Sequence, residues 1–244
     1  MPAPPSRVVV VADAHLGQVP PAVEAAFHAF LDALPELGDA LLINGDLFDF
    51  WFEYRSVIPR KHFPTVAKLH ALRARRIPVT FVGGNHDRWG GDFLTRDLGI
   101  AFYAGQVELD LAGRRAHVAH GDGLAEQHWS GALLHRVTRH PLTIAVFRAL
   151  HPTLGFWIAD RLSGKLADST KDQAVLDRAA AAQAEYARGL LERRPELELV
   201  ILAHTHRPRV DRLSDGRVYL NPGAWLDGGR YAVVTPDGVD LKTF

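Results

Sequence analysis

The sequence contains no cysteine and only one methionine. Without cysteine, the chain forms no disulfide and offers no thiolate to a metal ion. It also has no excess of either charge, since 28 Lys and Arg residues match 28 Asp and Glu residues. A formal net charge of zero gives no sign of the basic surface that attracts nucleic acid. We therefore expect no nucleic-acid partner.

Long apolar runs are also missing. No stretch of about 18 uncharged apolar residues occurs, so the sequence predicts no membrane-spanning helix. The run from Val8 to Ala12 is too short for the hydrophobic segment of a signal peptide, and charged residues follow it directly. These absences favour a cytoplasmic protein, and the sequence leaves its oligomeric state open.

The 244 residues have an ordinary globular composition, 47% hydrophobic and 23% charged, with a high count of 13 histidines. β-branched, apolar segments predict buried strands at 7–12, 40–44 and 78–82. Helical periodicity predicts helices at 20–37 and 64–76. Alternation of strand and helix is typical of an α/β fold.

The pattern changes after residue 100. Short strands are predicted within 100–119, and residues 124–194 are mainly helical. We interpret the chain as a single domain, 1–244, that carries a helical insertion or cap at 124–194. Strands return near the C-terminus, at 197–204, 207–213, 217–221, 230–235 and 238–243.

Polar residues follow five of the predicted strands at the point where each strand ends. In open α/β sheets, ligands bind beyond the carboxyl ends of the strands, so we expect these side chains to meet in one region. They are Asp13, His15, Asp46, Asn85, His120, His204 and His206.

The spacing and chemistry of these residues predict a metal centre. In Asp13-x-His15 and His204-x-His206, alternate residues of an extended chain point the same way. Carboxylate, imidazole and amide oxygen together suit Mn²⁺, Fe or Zn²⁺. Seven ligands are too many for one such ion and suit two ions bridged by a carboxylate. Each motif alone also fits a turn or a surface pair, but their joint order favours the metal centre.

These ordered motifs resemble the signature of the calcineurin-like metallophosphoesterases, which is D-x-H, G-D-x-x-D, G-N-H-[DE], G-H and G-H-x-H. Alanine replaces glycine at positions 119 and 203. The resemblance implies two packed mixed β-sheets flanked by helices and a hydrolase of phosphoester or pyrophosphate bonds that uses two divalent ions, foremost Mn²⁺, with Fe or Zn as alternatives. The matching residues are Asp13-x-His15, Gly45-Asp46-x-x-Asp49, Gly84-Asn85-His86-Asp87, Ala119-His120 and Ala203-His204-x-His206.

The resemblance also assigns Asp46 as the bridging ligand. We expect Asn85, His86 and Asp49 to take part in catalysis, with Asp49 orienting His86. The remaining ligands divide between the ions, with Asp13, His15 and His206 at the first and Asn85, His120 and His204 at the second.

A narrower similarity lies in "GDLFDFWFEY", "HGDGL", an "HP" in the insertion and a late "PGAW". These look like the UDP-2,3-diacylglucosamine pyrophosphatases of lipid A synthesis. That resemblance implies a nucleotide-lipid substrate, release of UMP and a diacylglucosamine 1-phosphate, and a peripheral contact with the cytoplasmic face of the inner membrane.

One departure from that family concerns His86, where many members have arginine. A phosphate leaving group needs little protonation, whereas an alkoxide needs a general acid such as histidine. His86 therefore leaves open a second function, a phosphatase or phosphodiesterase acting on small soluble substrates such as nucleotides. A non-catalytic scaffold is a third interpretation, disfavoured because all seven ligand positions are filled.

The aromatic residues after Asp46 and the insertion supply candidate substrate contacts. We expect Phe48 and Trp51 in the core and Phe50, Phe52 and Tyr54 at the rim of the site. The apolar insertion fits packing against the sheets, a lipid-binding cap or a dimer interface. The candidate substrate-binding residues are Trp51, Phe156, Trp157, Arg161, Lys165 and Lys171.

Overall fold

The structure is a computed structural model that describes residues 5–124, 140–167 and 173–244, with side chains except at 141, 160 and 162–167. The strands of these ranges are β1 (Val8–Val11), β2 (Ala40–Asn44), β3 (Val79–Val82), β4 (Ala101–Tyr103), β5 (Val107–Leu111), β6 (Arg114–Val118), β7 (Leu199–Ile201), β8 (Arg209–Arg212), β9 (Val218–Asn221), β10 (Arg230–Thr235) and β11 (Gly238–Thr243). The α-helices are α1 (Pro21–Leu37), α2 (Phe63–Ala74), α3 (Pro141–Ala149), α4 (Pro152–Ala167) and α5 (Gln173–Arg193).

Two mixed sheets are formed. The first has the order β11-β10-β1-β2-β3-β4, in which β1 to β4 run parallel and β10 lies antiparallel to β1. The second has the order β5-β6-β7-β9-β8, with β6, β7 and β9 parallel. The expected fold of two packed mixed sheets with flanking helices is confirmed.

The core between the sheets follows from alternation along the strands. In β1, Val8 and Val10 face the second sheet, whereas Val9 and Val11 face the helical side. Full burial of one valine stabilises the fold by about 1.5–3 kcal/mol, so this all-valine strand contributes on both faces.

Helices cover the outer faces. Helix α1 buries Phe27, Phe30, Leu31 and Leu34 against the first sheet. Helix α5 buries Ala184, Ala187 and Leu191 against the second sheet. Within the described ranges, no helix combines the length and the apolar character that crossing a membrane requires.

Helices α3 and α4 pack over the aromatic stretch that follows Asp46. Phe147 and Phe156 contact Phe50, with ring centroids 5.9 and 6.4 Å apart. The expectation that Phe50 and Phe52 lie at an exposed rim is wrong, because these helices bury both side chains. The 124–194 insertion stays a prediction, since 125–139 and 168–172 lie outside the described residues.

Candidate metal centre

The candidate ligands lie in tight turns directly after their strands. Asp13 and His15 follow β1, Asp46 follows β2, and His204 and His206 follow β7. All five have a left-handed backbone conformation, with φ between 46° and 69°. Such a conformation costs roughly 1 kcal/mol or more for a residue with a side chain, and this cost is typical of functional sites.

A first group of ligands combines Asp13, His15 and His206, whose ligand atoms all lie within 4.8 Å of one another. Asp13 Oδ1 is 4.0 Å from Nε2 of His15 and 3.6 Å from Nε2 of His206. This is the set of residues expected at the first ion.

A second group combines Asp46, His120 and His204, again with ligand atoms within 4.8 Å. Asp46 Oδ2 lies 3.1 Å from Nε2 of His120 and 3.9 Å from Nε2 of His15. One oxygen of Asp46 therefore faces a ligand of each group, which is the geometry that a bridging carboxylate requires.

Two buried oxygens without partners indicate whether the site fits a metal ion. Asp13 Oδ1 and Asn85 Oδ1 have no hydrogen-bond partner among the described residues. Buried polar atoms are normally paired, so an unpaired carboxylate oxygen beside imidazoles and an unpaired amide oxygen match the ligands of a divalent cation. The donor set fits two divalent ions.

Hydrogen bonds outside the ligand set fix its orientation. The main-chain oxygen of Asn44 accepts a hydrogen bond from His120 Nδ1 at 2.9 Å, so the lone pair of this ring lies on Nε2. Asp87 accepts from the backbone N–H groups of Asp46, Leu47 and Gly84. These bonds tie the turn after β2 to the turn after β3.

Two glycines allow this close approach. A Cβ on Gly45 would overlap the ring of His120, and a Cβ on Gly84 would overlap the carboxylate of Asp46. Glycine is therefore required before both Asp46 and Asn85 because a side chain there would displace a candidate ligand.

The carboxylates and imidazoles of the site shift the pKa values of one another. Burial would raise the pKa of Asp46, but His120 and His86 hold it well below its ordinary value. Burial opposes the charged form of His120, yet Asp46 and Asp13 raise its pKa well above the usual range. For His206, burial is likewise outweighed by Asp13, and the pKa rises to about 10.

The other two imidazoles are neutral. Burial lowers the pKa of His15 to about 4 and that of His204 to about 4. Neutral imidazole is the form that binds a metal ion, so these two ligands need no deprotonation.

Asp227 is a residue that sequence reasoning missed. Its Oδ2 lies 3.5 Å from Nδ1 of His206, on the side of the ring away from Asp13. A carboxylate in this position orients a ligating histidine and strengthens it as a donor. Only its place two residues after "PGAW" gave a signal, and no role was assigned to it.

Asp49 differs from its expected role. Its carboxylate binds Lys61 Nζ at 2.6 Å and lies 3.2 Å from His62 Nε2. The contact with His86 is made by the main-chain oxygen of Asp49, which lies 2.6 Å from His86 Nδ1. The carboxylate therefore anchors the loop, and the carbonyl orients the imidazole.

His86 lies at the edge of the metal centre. The ligand atoms of His86, His15 and Asp46 all lie within 4.8 Å of one another. The ring of His86 stands perpendicular to that of His15, with the ring centroids 4.8 Å apart. Since Nδ1 faces a carbonyl, the opposite nitrogen is the one available for chemistry.

The candidate substrate contacts fall into four groups. Trp51 is a correction, because it is fully buried, stacks on Phe48 and donates through Nε1 to Glu53. Phe156 is half-buried against Phe50. Trp157 is 53% exposed, with the guanidinium of Arg161 over its ring at 4.7 Å. The side chain of Lys165 and all of Lys171 lie outside the described residues.

A cavity of about 570 Å³ opens beside the second ligand group. His120 forms part of its wall, as do Ile144 of α3 and Tyr186 of α5. Arg88 and Asp122 contribute a buried ion pair to the same wall. A substrate bound at His120 therefore has adjoining space with both charged and apolar surfaces.

Comparison with known proteins extends these findings. The chain is 34% identical to UDP-2,3-diacylglucosamine hydrolase of Klebsiella pneumoniae, over 96% of this chain and 97% of that protein. It is 29% identical to the Porphyromonas gingivalis protein of the same name, over 93% of this chain and 94% of the relative. It is 32% identical to the protein of that name from an Enterobacter species, over 96% of this chain and 97% of the relative.

The sequence profile of the calcineurin-like phosphoesterases matches residues 6–208. This range contains the described turns after β1, β2, β3, β6 and β7, and thus every candidate ligand. Together with the two packed mixed sheets, the match over most of the chain establishes that the protein belongs to the calcineurin-like phosphoesterase family.

Proposed function

We propose that this protein hydrolyses the pyrophosphate bond of UDP-2,3-diacylglucosamine and releases UMP and a diacylglucosamine 1-phosphate. The observation that carries the reaction class is the pair of ligand groups that share Asp46. The full-length similarity to hydrolases of that name supports the substrate.

We assign two divalent ions to the centre, with Mn²⁺ as the proposed metal. Asp13, His15 and His206 hold the first, and His120 and His204 hold the second together with Asn85, while Asp46 bridges them. Bound ions of this kind activate water and stabilise charge on phosphoryl oxygens.

The protein's own groups provide orientation and proton transfer. Asn85 is placed by the turn after β3 and contributes its side-chain oxygen. His86 is held by the Asp49 carbonyl, so its other nitrogen faces the substrate position as a hydrogen-bond partner or acid. Lys61 and His62 hold the Asp49 carboxylate and so keep that carbonyl in place.

The helices of the insertion supply the proposed lipid contact. Leu142 and Val146 of α3 and Leu154 and Trp157 of α4 are exposed apolar residues. An amphipathic surface of this kind, with Arg161 beside Trp157, fits peripheral contact with an anionic membrane surface. Sedimentation with phosphatidylglycerol vesicles tests this contact, and binding that Trp157→Ala does not weaken would argue against it.

The substrate is tested by hydrolysis with Mn²⁺. UDP-2,3-diacylglucosamine is compared with UDP-N-acetylglucosamine and a chromogenic phosphodiester, and Asp46→Ala serves as the inactive control. Release of UMP from the acylated substrate well above the other two supports the proposal. Turnover of only the small substrates would reject it.

A phosphodiesterase acting on small soluble substrates is the second candidate. The observation that favours it is His86, an imidazole beside the centre that is able to protonate an alkoxide leaving group. The same three-substrate comparison decides between the two candidates.

A further inference from the structure

A buried ion pair stands in the wall of the cavity beside His120. Arg88 follows the turn after β3, and Asp122 follows the turn after β6. Nη2 of Arg88 contacts Oδ2 of Asp122, and each side chain is only 7% exposed. Both residues line the same cavity as the candidate ligand His120.

The position of Arg88 is fixed by the strand before it. A Cβ on Gly83 would lie 2.9 Å from the Cα of Arg88, so the two stretches of main chain pack directly together. This packing fixes the backbone of Arg88, and the ion pair with Asp122 fixes its guanidinium.

The ion pair does not satisfy the guanidinium. Nε of Arg88 is buried and has no hydrogen-bond partner among the described residues. A guanidinium has five N–H donors, and a buried cation with an unpaired donor is costly unless an anion completes its contacts. The second partner of Arg88 is therefore expected to be an oxyanion that enters the cavity.

The chemistry of the site identifies that oxyanion. A planar guanidinium binds phosphate oxygens through two donors at once. A phosphoryl group at the candidate ligands Asp46 and His120 lies at the edge of this cavity. We propose that Arg88 binds the second phosphate of a diphosphate substrate and that Asp122 holds Arg88 in position. This inference rests on the proposed function in that the substrate has two phosphates.

The direct test compares the binding of UDP and UMP, which differ by one phosphate. Their dissociation constants are measured by calorimetry on the manganese-loaded protein at constant free Mn²⁺. Arg88→Gln is expected to weaken UDP about tenfold or more, in line with a lost charge-assisted hydrogen bond, and to leave UMP within about threefold. Arg88→Lys keeps the charge and should retain part of the preference for UDP.

Two further variants distinguish phosphate binding by Arg88 from a general effect of losing a charged side chain. Asp122→Asn removes the charge that holds Arg88 but keeps the guanidinium, so the preference for UDP should fall, and by less than in Arg88→Gln. Arg115→Gln removes an exposed arginine at the start of β6 and should leave both constants unchanged. An equal loss of UDP and UMP binding in Arg88→Gln, or an unchanged ratio, would overturn the inference. An unchanged preference in Asp122→Asn would overturn the positioning role of Asp122.

Hydrolysis of UDP-2,3-diacylglucosamine by the wild type is measured in parallel. If the wild type does not hydrolyse this lipid but prefers UDP in a manner that depends on Arg88, the lipid substrate is rejected and the phosphate subsite is kept. Hydrolysis of the lipid with no Arg88-dependent preference would keep the proposed function and reject the subsite.

Discussion

His86 and Asp49 meet through the main chain, with Nδ1 of His86 2.6 Å from the carbonyl oxygen of Asp49. The carboxylate of Asp49 points elsewhere, to Lys61 and His62. The two parts of one residue therefore serve two purposes: the carbonyl orients an imidazole, and the carboxylate holds the loop.

Replacement of Asp49 by asparagine tests this division. Asp49→Asn keeps the carbonyl and loses the charge opposite Lys61, which is partly exposed. We expect the free energy of unfolding to fall by about 1–2 kcal/mol and kcat to stay within about tenfold of the wild type. Urea unfolding and turnover measure both quantities. A hundredfold loss of kcat at unchanged stability would show that the carboxylate itself takes part in the reaction.

Single ligand substitutions should separate the two ions. We expect His206→Ala and His120→Ala each to lower the metal content from about two ions per chain to about one. Asp46→Ala should weaken the binding of both ions. Each variant should lose at least about a thousandfold in turnover while remaining folded. Elemental analysis and circular dichroism test this, with the exposed Asp240→Ala as control. Full metal content in Asp46→Ala would contradict the bridging role.

Metal removal should lower thermal stability. Ligand at about 100 times its dissociation constant stabilises a fold by ~2.7 kcal/mol, which corresponds to roughly 5–10 °C for a chain of this size. We therefore expect Mn²⁺ to raise the melting temperature of the chelated protein by that amount. Differential scanning calorimetry measures the shift, and Asp46→Ala should show little of it. Equal shifts in both proteins would place the bound metal elsewhere.

The role of His86 depends on the leaving group. His86→Gln should reduce turnover of an alkyl phosphodiester by about 10²–10⁴-fold, because an alkoxide needs a proton. The loss should be smaller for a pyrophosphate, whose phosphate leaving group is a weak base. Parallel kcat measurements on both substrates test this difference. Equal losses would indicate that His86 positions the phosphoryl group and transfers no proton.

The aromatic contact under the insertion is testable through stability. Phe52 is 1% exposed and packs against Phe147 at 4.6 Å, so Phe52→Ala should cost about 3–5 kcal/mol. Trp157 is exposed, and Trp157→Ala should cost less than about 0.5 kcal/mol. Urea unfolding of the two variants gives the comparison. Similar costs would show that the two helices do not pack as described.

The sequence predicted most of the fold because its signals there are local. The strand predicted at 40–44 coincides with β2, and that at 230–235 coincides with β10. The seven candidate ligands were predicted for a related reason, since each follows a strand that is recognisable from its own apolar residues. Their assignment to two ions stays a prediction that the two geometric groups support.

The errors have a common physical cause in contacts between distant residues. Asp49 was expected to orient His86, but its carboxylate binds Lys61, twelve residues later in the chain, and its carbonyl faces His86. Phe52 is buried by Phe147, almost a hundred residues later. Neither contact can be predicted from the residues that neighbour it in the sequence.

The left-handed turns have a consequence for the design of such a centre. Glycine adopts this conformation without strain, whereas Asp13, His15, Asp46, His204 and His206 each adopt it with a side chain. Two of these side chains also accept backbone hydrogen bonds, Asp13 from the N–H of His204 and Asp46 from the N–H of His86. Each carboxylate therefore helps to hold a turn that presents another residue of the centre.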